Sequence, residues 1–311
     1  MQHTRRQLLK TSGAAVGAGV LTGLAGCSSI PFIGGGGAGA YRSWLPAPGE
    51  ISDSDHYGFA YIDYNKIQNN EDNFDEDFYE NLENDPDTLG LDFEDMNNVI
   101  SSDGFSVLNA SFNKSDVVDA LEDEDEGEYE QDGSQNNYDI FVPANSDEPF
   151  EAYGVSGSTV IQSRSVGGDD AVDVLESAIE VNNGNIDRYH QDSDAFNKLS
   201  NVTGGGTFVT GRTYEETDGD NPEGGQFENS VASGRSVTVN GGSSNVKSVV
   251  VFDSSDDVDT GDLEDWVDEQ DTDGGAWEDV NNPNYNKNGN AGVVNASFDT
   301  DDLRSNNIYS F

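Results

Sequence analysis

The sequence predicts an α+β fold, with mixed or antiparallel sheets and helices packed on one face. Three observations predict it: apolar or alternating runs of strand length recur along the chain, several lead through a polar cap into an acidic stretch of helical spacing, and hairpin-like pairs lie between them. The 3 Trp, 12 Tyr and 15 Phe, with repeated β-branched runs, supply a core. They set the chain apart from an acidic polymer too polar to collapse.

In chain order, the first strand run is Gly58 to Tyr64. Ser106 to Phe112 is the next, and it leads into Lys114 to Leu121, where Asn113 or Ser115 can cap the first turn and Val117, Val118 and Leu121 mark one helical face. Tyr138 to Pro143 and Phe150 to Val155 read as hairpin partners. Thr159 to Ser165 is followed by Asp169 and Asp170, placed at the positive end of a helix that buries Val172, Leu175 and Ile179. Thr207 to Arg212 is a further strand, and Ser236 to Asn240 turns at Gly241-Gly242 into Asn245 to Phe252. A helix from Thr260 to Val267 repeats the strand, cap, helix plan, and Gly292 to Phe298 echoes the Asn-Ala-Ser-Phe string of Asn109 to Phe112. Two ferredoxin-like, split β-α-β lobes at 44–150 and 151–311 account for this pattern, with the boundary alternatively in the loop Glu215 to Gly225. A single large mixed sheet is the other arrangement.

The first 27 residues contain no acidic residue and place Arg5, Arg6 and Lys10 before a glycine-rich apolar run. About fourteen apolar residues reach roughly 20 Å, short of the ~30 Å hydrocarbon core, so the run reads as an export signal. Thr4-Arg5-Arg6-Gln7-Leu8-Leu9-Lys10 resembles the twin-arginine (Tat) consensus at every position, and Leu24-Ala25-Gly26-Cys27 resembles a lipobox. The resemblance implies a signal peptide over 1–26, translocation of the folded chain by the Tat translocase, cleavage before Cys27 and a two-chain lipid on its sulfur. Residues 27–43, with Gly34 to Gly37 among them, then form a lipidated cysteine and tether. Cys27 is the sole cysteine, so disulfides, thiol catalysis and thiolate metal sites are excluded from the mature body.

Removing the three basic residues of the first 27 leaves 11 Lys and Arg against 61 Asp and Glu. Such self-repulsion opposes compaction in dilute buffer but is screened at 1 M salt, where the Debye length is ~3 Å. Acidic excess, scarce lysine, Tat motif and lipobox together resemble the surface lipoproteins of extremely halophilic archaea. The same charge excludes nucleic acid as a partner.

Few residues suggest chemistry. Asp271 and Asp273, before Gly274, imitate the start of a calcium loop, but the twelfth position is Val280 where a bidentate glutamate belongs. His56 and His190 lack metal-ligand spacing, and Gly154-Val-Ser-Gly-Ser158 suits a hairpin turn better than a nucleophile elbow. Sequons at Asn109, Asn113, Asn201 and Asn295 permit N-glycosylation after export. In Leu108 to Phe112, alternation sends Leu, Ala and Phe inward and Asn109 outward, with Asn295 expected to face the same way. No catalytic residue and no cofactor is assigned. The expected role is a membrane-anchored, non-enzymatic envelope or interaction module whose partner is an envelope protein or a small solute. A transporter's substrate-binding lipoprotein, with a cleft lined by Trp44, Trp266 or Trp277, is the alternative, and an extracellular hydrolase the second.

Overall fold

All the strand runs recognised in the sequence join one sheet. The computed structural model describes residues 38–308 except 53, 85–88, 90, 123–128, 145–148, 167–168, 220, 273 and 305–306. Its strands are β1 (Gly58–Asp63), β2 (Met96–Ser102), β3 (Phe105–Ala110), β4 (Tyr129–Gln135), β5 (Tyr138–Pro143), β6 (Glu151–Val155), β7 (Thr159–Arg164), β8 (Phe208–Thr213), β9 (Ser230–Asn240), β10 (Ser243–Phe252), β11 (Asn281–Asn288) and β12 (Ala291–Asp299). Its helices are α1 (Gly39–Arg42), α2 (Tyr64–Gln68), α3 (Glu76–Asn84), α4 (Lys114–Glu122), α5 (Ala171–Asn183), α6 (Tyr189–Asp192), α7 (Asp194–Thr203) and α8 (Thr260–Gln270).

The twelve strands lie in the order β11-β12-β10-β9-β8-β1-β2-β3-β7-β6-β5-β4, and each neighbouring pair is antiparallel. The fold is α+β, as expected, but helices cover both faces. Successive residues of a strand enter different cores: Val107 and Val249 join one, Leu108 and Val250 the other. The first core takes Leu175 and Ile179 of α5 and Phe196 and Leu199 of α7; the second takes Val117 and Leu121 of α4 and Leu263 and Trp266 of α8. Val249-Val250-Val251-Phe252 is wholly buried, because a strand between two helical layers has no wet side.

Two similar units build the sheet. In the first, β1-β2-β3 meander, α4 crosses to β4, and β4 to β7 return until β7 pairs with β3. In the second, β8-β9-β10 meander, α8 crosses to β11, and β11-β12 return until β12 pairs with β10. They join antiparallel through β1 and β8, with Phe59 facing Gly211 and Tyr61 facing Val209. Each unit is thus a meander with one helical crossover, and not a split β-α-β lobe. The division falls after β7, because β6 and β7 pair with β5 and β3, so a boundary at 150/151 cuts a paired hairpin. The Asn-Ala-Ser-Phe echo does not mark equivalent places: β3 corresponds to β10, not to β12.

Local chemistry fixes the layers. Asp170 Oδ1 accepts from the N–H groups of Val172 (2.8 Å) and Asp173 (3.0 Å) at the start of α5, and Gly184 ends the helix with φ 76°. Gly211 and Gly234 face one another beneath Leu199 of α7, where a Cβ on Gly234 would stand 2.7 Å from Thr210 O. Both outer strands are irregular: the register slips between Gln131 and Gly133 in β4 and between Asn281 and Asn284 in β11, the latter around Pro283.

Candidate functional site

The residues expected to carry function do not converge on one place. Arg5, Arg6, Cys27 and Asp273 lie outside the described residues. Asp271 is exposed at the end of α8, and the loop after it is closed by its own bonds: Gly275 N–H donates to Thr272 O at 2.7 Å, and Gly274 N–H donates to Glu278 Oε2 at 2.8 Å. This turn drives Trp277 back into the core, and a Cβ on Gly275 would fall 2.1 Å from Gln270 O. Trp44, Trp266 and Trp277 are all buried, the last two edge to face at 5.0 Å, so they line the interior and not a cleft.

The histidines sit apart in role. His56 Nδ1 lies 3.1 Å from Thr213 Oγ1, which also pairs with the Tyr189 hydroxyl. His190 is held below its ordinary pKa by burial, then by Arg42 and Arg188. The turn at Ser156 is a hairpin turn, with Ser156 Oγ accepting from Thr159 N–H at 3.1 Å.

The four sequons differ sharply. Asn109 is half-buried on β3, its Nδ2 donating to Asn98 Oδ1 (2.9 Å) and its Oδ1 accepting from Thr159 Oγ1 (3.0 Å). Asn295 faces the same side of the sheet as Asn109, as expected, but that side is roofed by α5 and α7 instead of being open. The register carries the face across without a break: Asn295 opposes Lys247, Lys247 opposes Ser236, Ser236 opposes Val209, and so on to Val107 beside Asn109. Asn201 is exposed on α7, but its partner Thr203 is buried. Asn113 and Ser115 are both exposed where the chain enters α4.

Two polar constellations were not anticipated, since charged residues ordinarily belong outside. Glu151 is buried on β6; its Oε2 accepts from Tyr129 (3.0 Å), and its Oε1 accepts from Gln162 (2.5 Å) and Tyr153 (3.4 Å). Arg235 is buried on β9; its Nε donates to Ser248 Oγ (2.7 Å), its Nη1 to Ala276 O (3.0 Å) and Asn307 O (2.7 Å), and its guanidinium lies 4.3 Å above Trp277. Burial pushes Arg235 down to about 9. Alternation is the signal that finds both: Glu151 is in phase with Tyr153 and Val155, and Arg235 with Val237 and Val239, all in one core. Every named acceptor or donor is already engaged by the fold, so these groups fasten strands together.

Other cations also address carbonyls. Arg188 Nε donates to Val181 O (3.3 Å) and Lys247 Nζ to Val202 O (3.1 Å), at the negative ends of α5 and α7, while Arg42 Nη2 donates to Asn197 O (3.1 Å). Lys114 and Asp139 form a surface ion pair at 2.8 Å.

No family model matches the chain, and no curated protein matches it. Among solved structures, crystal form III of TP0453 aligns with a TM-score of 0.48 at 9% identity, over 85% of this chain and 96% of that one. Form I gives 0.47 at 11%, over 85% and 98%, and form IV gives 0.45 at 10%, over 84% and 96%. Scores below 0.5 describe a shared outline and decide nothing about function.

Proposed function

We propose that this protein is a salt-adapted lipoprotein, held by lipid on Cys27 to the outer face of a cell membrane, where its body serves as a non-enzymatic interaction module. The observation that carries the reading is the twin-arginine heptad at Thr4 to Lys10 followed, at lipoprotein spacing, by Leu24-Ala25-Gly26-Cys27. The position of the body limits the tether. Tyr41 is fully buried, stacked on Phe59 with ring centroids 4.7 Å apart, and its hydroxyl donates to Gly204 O at 2.8 Å. The packed body thus already includes Tyr41 and the helix Gly39–Arg42, so the tether expected over 27–43 is too long at its C-terminal end and has to stop before Gly39. Among the described residues no helix is long and apolar enough to cross a membrane.

Charge use supports the solvent assignment. In molar salt an exposed ion pair is screened within ~3 Å, whereas a cation bonded to a helix's terminal carbonyls keeps a short, directional contact. Arg188 and Lys247 follow the second pattern.

Expression in a halophilic archaeal host tests the reading. Mass spectrometry should find a chain beginning at a lipidated Cys27, Cys27→Ser should move the protein out of the membrane fraction, and Arg5→Lys with Arg6→Lys should trap the precursor inside. An unmodified full-length product in the cytosol overturns the assignment. Affinity capture from membranes in molar salt should return an envelope protein; a bound small solute in its place favours the substrate-binding alternative.

A further inference from the structure

We infer that Asn113 is the glycan-bearing residue of this protein and that the sequons at Asn109, Asn201 and Asn295 stay bare. The inference rests on the export reading above, because a chain carried across the membrane already folded meets a glycosyl-transferring enzyme only through its finished surface. Such an enzyme must take the asparagine amide and the hydroxyl two residues later at the same time, in a segment that can leave its own fold.

Asn113 meets both demands. Its side chain and that of Ser115 are exposed, and residues 111–113 belong to no helix or strand. Apart from bonds within α4 itself, Asp116 N–H donates to Asn113 O at 3.0 Å. The first turn of a helix has N–H groups without helical partners and frays at little cost, so Ser115 can leave α4 and return.

The other three fail for separate reasons. Asn109 and Asn295 sit on strands paired on both sides, β3 between β2 and β7, and β12 between β10 and β11. Drawing either out would dismantle the ladder across the sheet, an opening close to global unfolding. In the third, Thr203 is buried under the end of α7, whose last carbonyls receive Lys247, so the hydroxyl required for recognition faces the core.

In the transfer, Nδ2 of Asn113 forms a bond to the anomeric carbon of an oligosaccharide carried on a membrane lipid phosphate. The bond from that carbon to the phosphate oxygen breaks, its electron pair leaves with the phosphate, and one Nδ2 proton passes to a base on the transferase. The remaining Nδ2–H can keep the bond to Asp116 Oδ2, 3.1 Å long in the unmodified protein, so the modified residue fits the same cap.

Full-length protein from a halophilic host whose other surface proteins carry N-glycans provides the test, read by glycopeptide mass spectrometry. A glycan should occur on the Asn113 peptide alone; Asn113→Gln and Ser115→Ala should each remove it, and Asn201→Gln and Asn295→Gln should leave it in place. A glycan at Asn109, Asn201 or Asn295 overturns the inference, and so does a bare Asn113. If Asn113 is bare while protease shaving of intact cells releases peptides of this chain, the inference alone falls. If Asn113 is bare and the chain is protected inside the cell, the export reading falls with it.

Discussion

The two halves of the sheet share a plan and bury opposite charges in the same core. The β1–β7 half hides Glu151 among two tyrosines and a glutamine; the β8–β12 half hides Arg235 among a serine, two carbonyls and a tryptophan face. In both, oriented neutral dipoles bond the charge directly. The halves differ in what the buried group ties. Glu151 links the neighbouring strands β6 and β7 to the edge strand β4, whereas Arg235 links β9 to Ala276 and Asn307, in segments 41 and 72 residues away. The cationic half thus makes its long-range closure depend on one side chain, and the acidic half spreads its closure over a ladder.

The largest expected effect follows from that asymmetry. Arg235→Ala strips bonds from Ser248, Ala276 and Asn307 and opens a void beside Trp277, and should cost about 3–5 kcal/mol, read from urea unfolding in molar salt. If it costs no more than Glu151→Gln, the contrast between the halves is wrong. Tyr189 on α6 supplies a third case, because burial raises its hydroxyl to about 12. The unfolded chain loses that proton near 10 while the folded chain holds it, so stability is intact below pH 10 and falls as pH rises toward 12. The loss should reach about 3 kcal/mol for this group, and Tyr189→Phe should blunt the decline. Glu151→Gln keeps the acceptor oxygen and the shape but turns one acceptor into a donor facing a donor, for about 1–2 kcal/mol; Glu151→Ala should cost more. Smallest is Lys114→Ala, which breaks the ion pair with Asp139 and should change stability by under about 0.5 kcal/mol, and by nothing measurable in molar salt.

Much of the fold is legible locally. Asp170 caps its helix as its position before Val172 and Leu175 predicts, and the strand-to-helix units at β3, β7 and β10 stand where periodicity puts them. What local pattern misses is polar or distant. β11 reads Asn-Asn-Pro-Asn-Tyr-Asn-Lys-Asn, and β4 reads Tyr-Glu-Gln-Asp-Gly-Ser-Gln; both are edge strands whose exposed residues need not be apolar. The join of β1 to β8 brings Ile62 beside Phe208, 146 positions further along the chain, and no spacing rule reaches that far. The same holds for the candidate site residues. The four sequons look alike as strings, and only the sheet and α7 distinguish Asn113 from the rest.

The slipped registers of β4 and β11 bear on how such molecules coexist. Open flanks on so wide a sheet would invite neighbours to zip onto them, lengthening it from molecule to molecule into fibres. Kinked by an extra residue, and by a proline on one side, these flanks offer no straight ladder to extend. Many copies can then lie crowded side by side and remain separate particles.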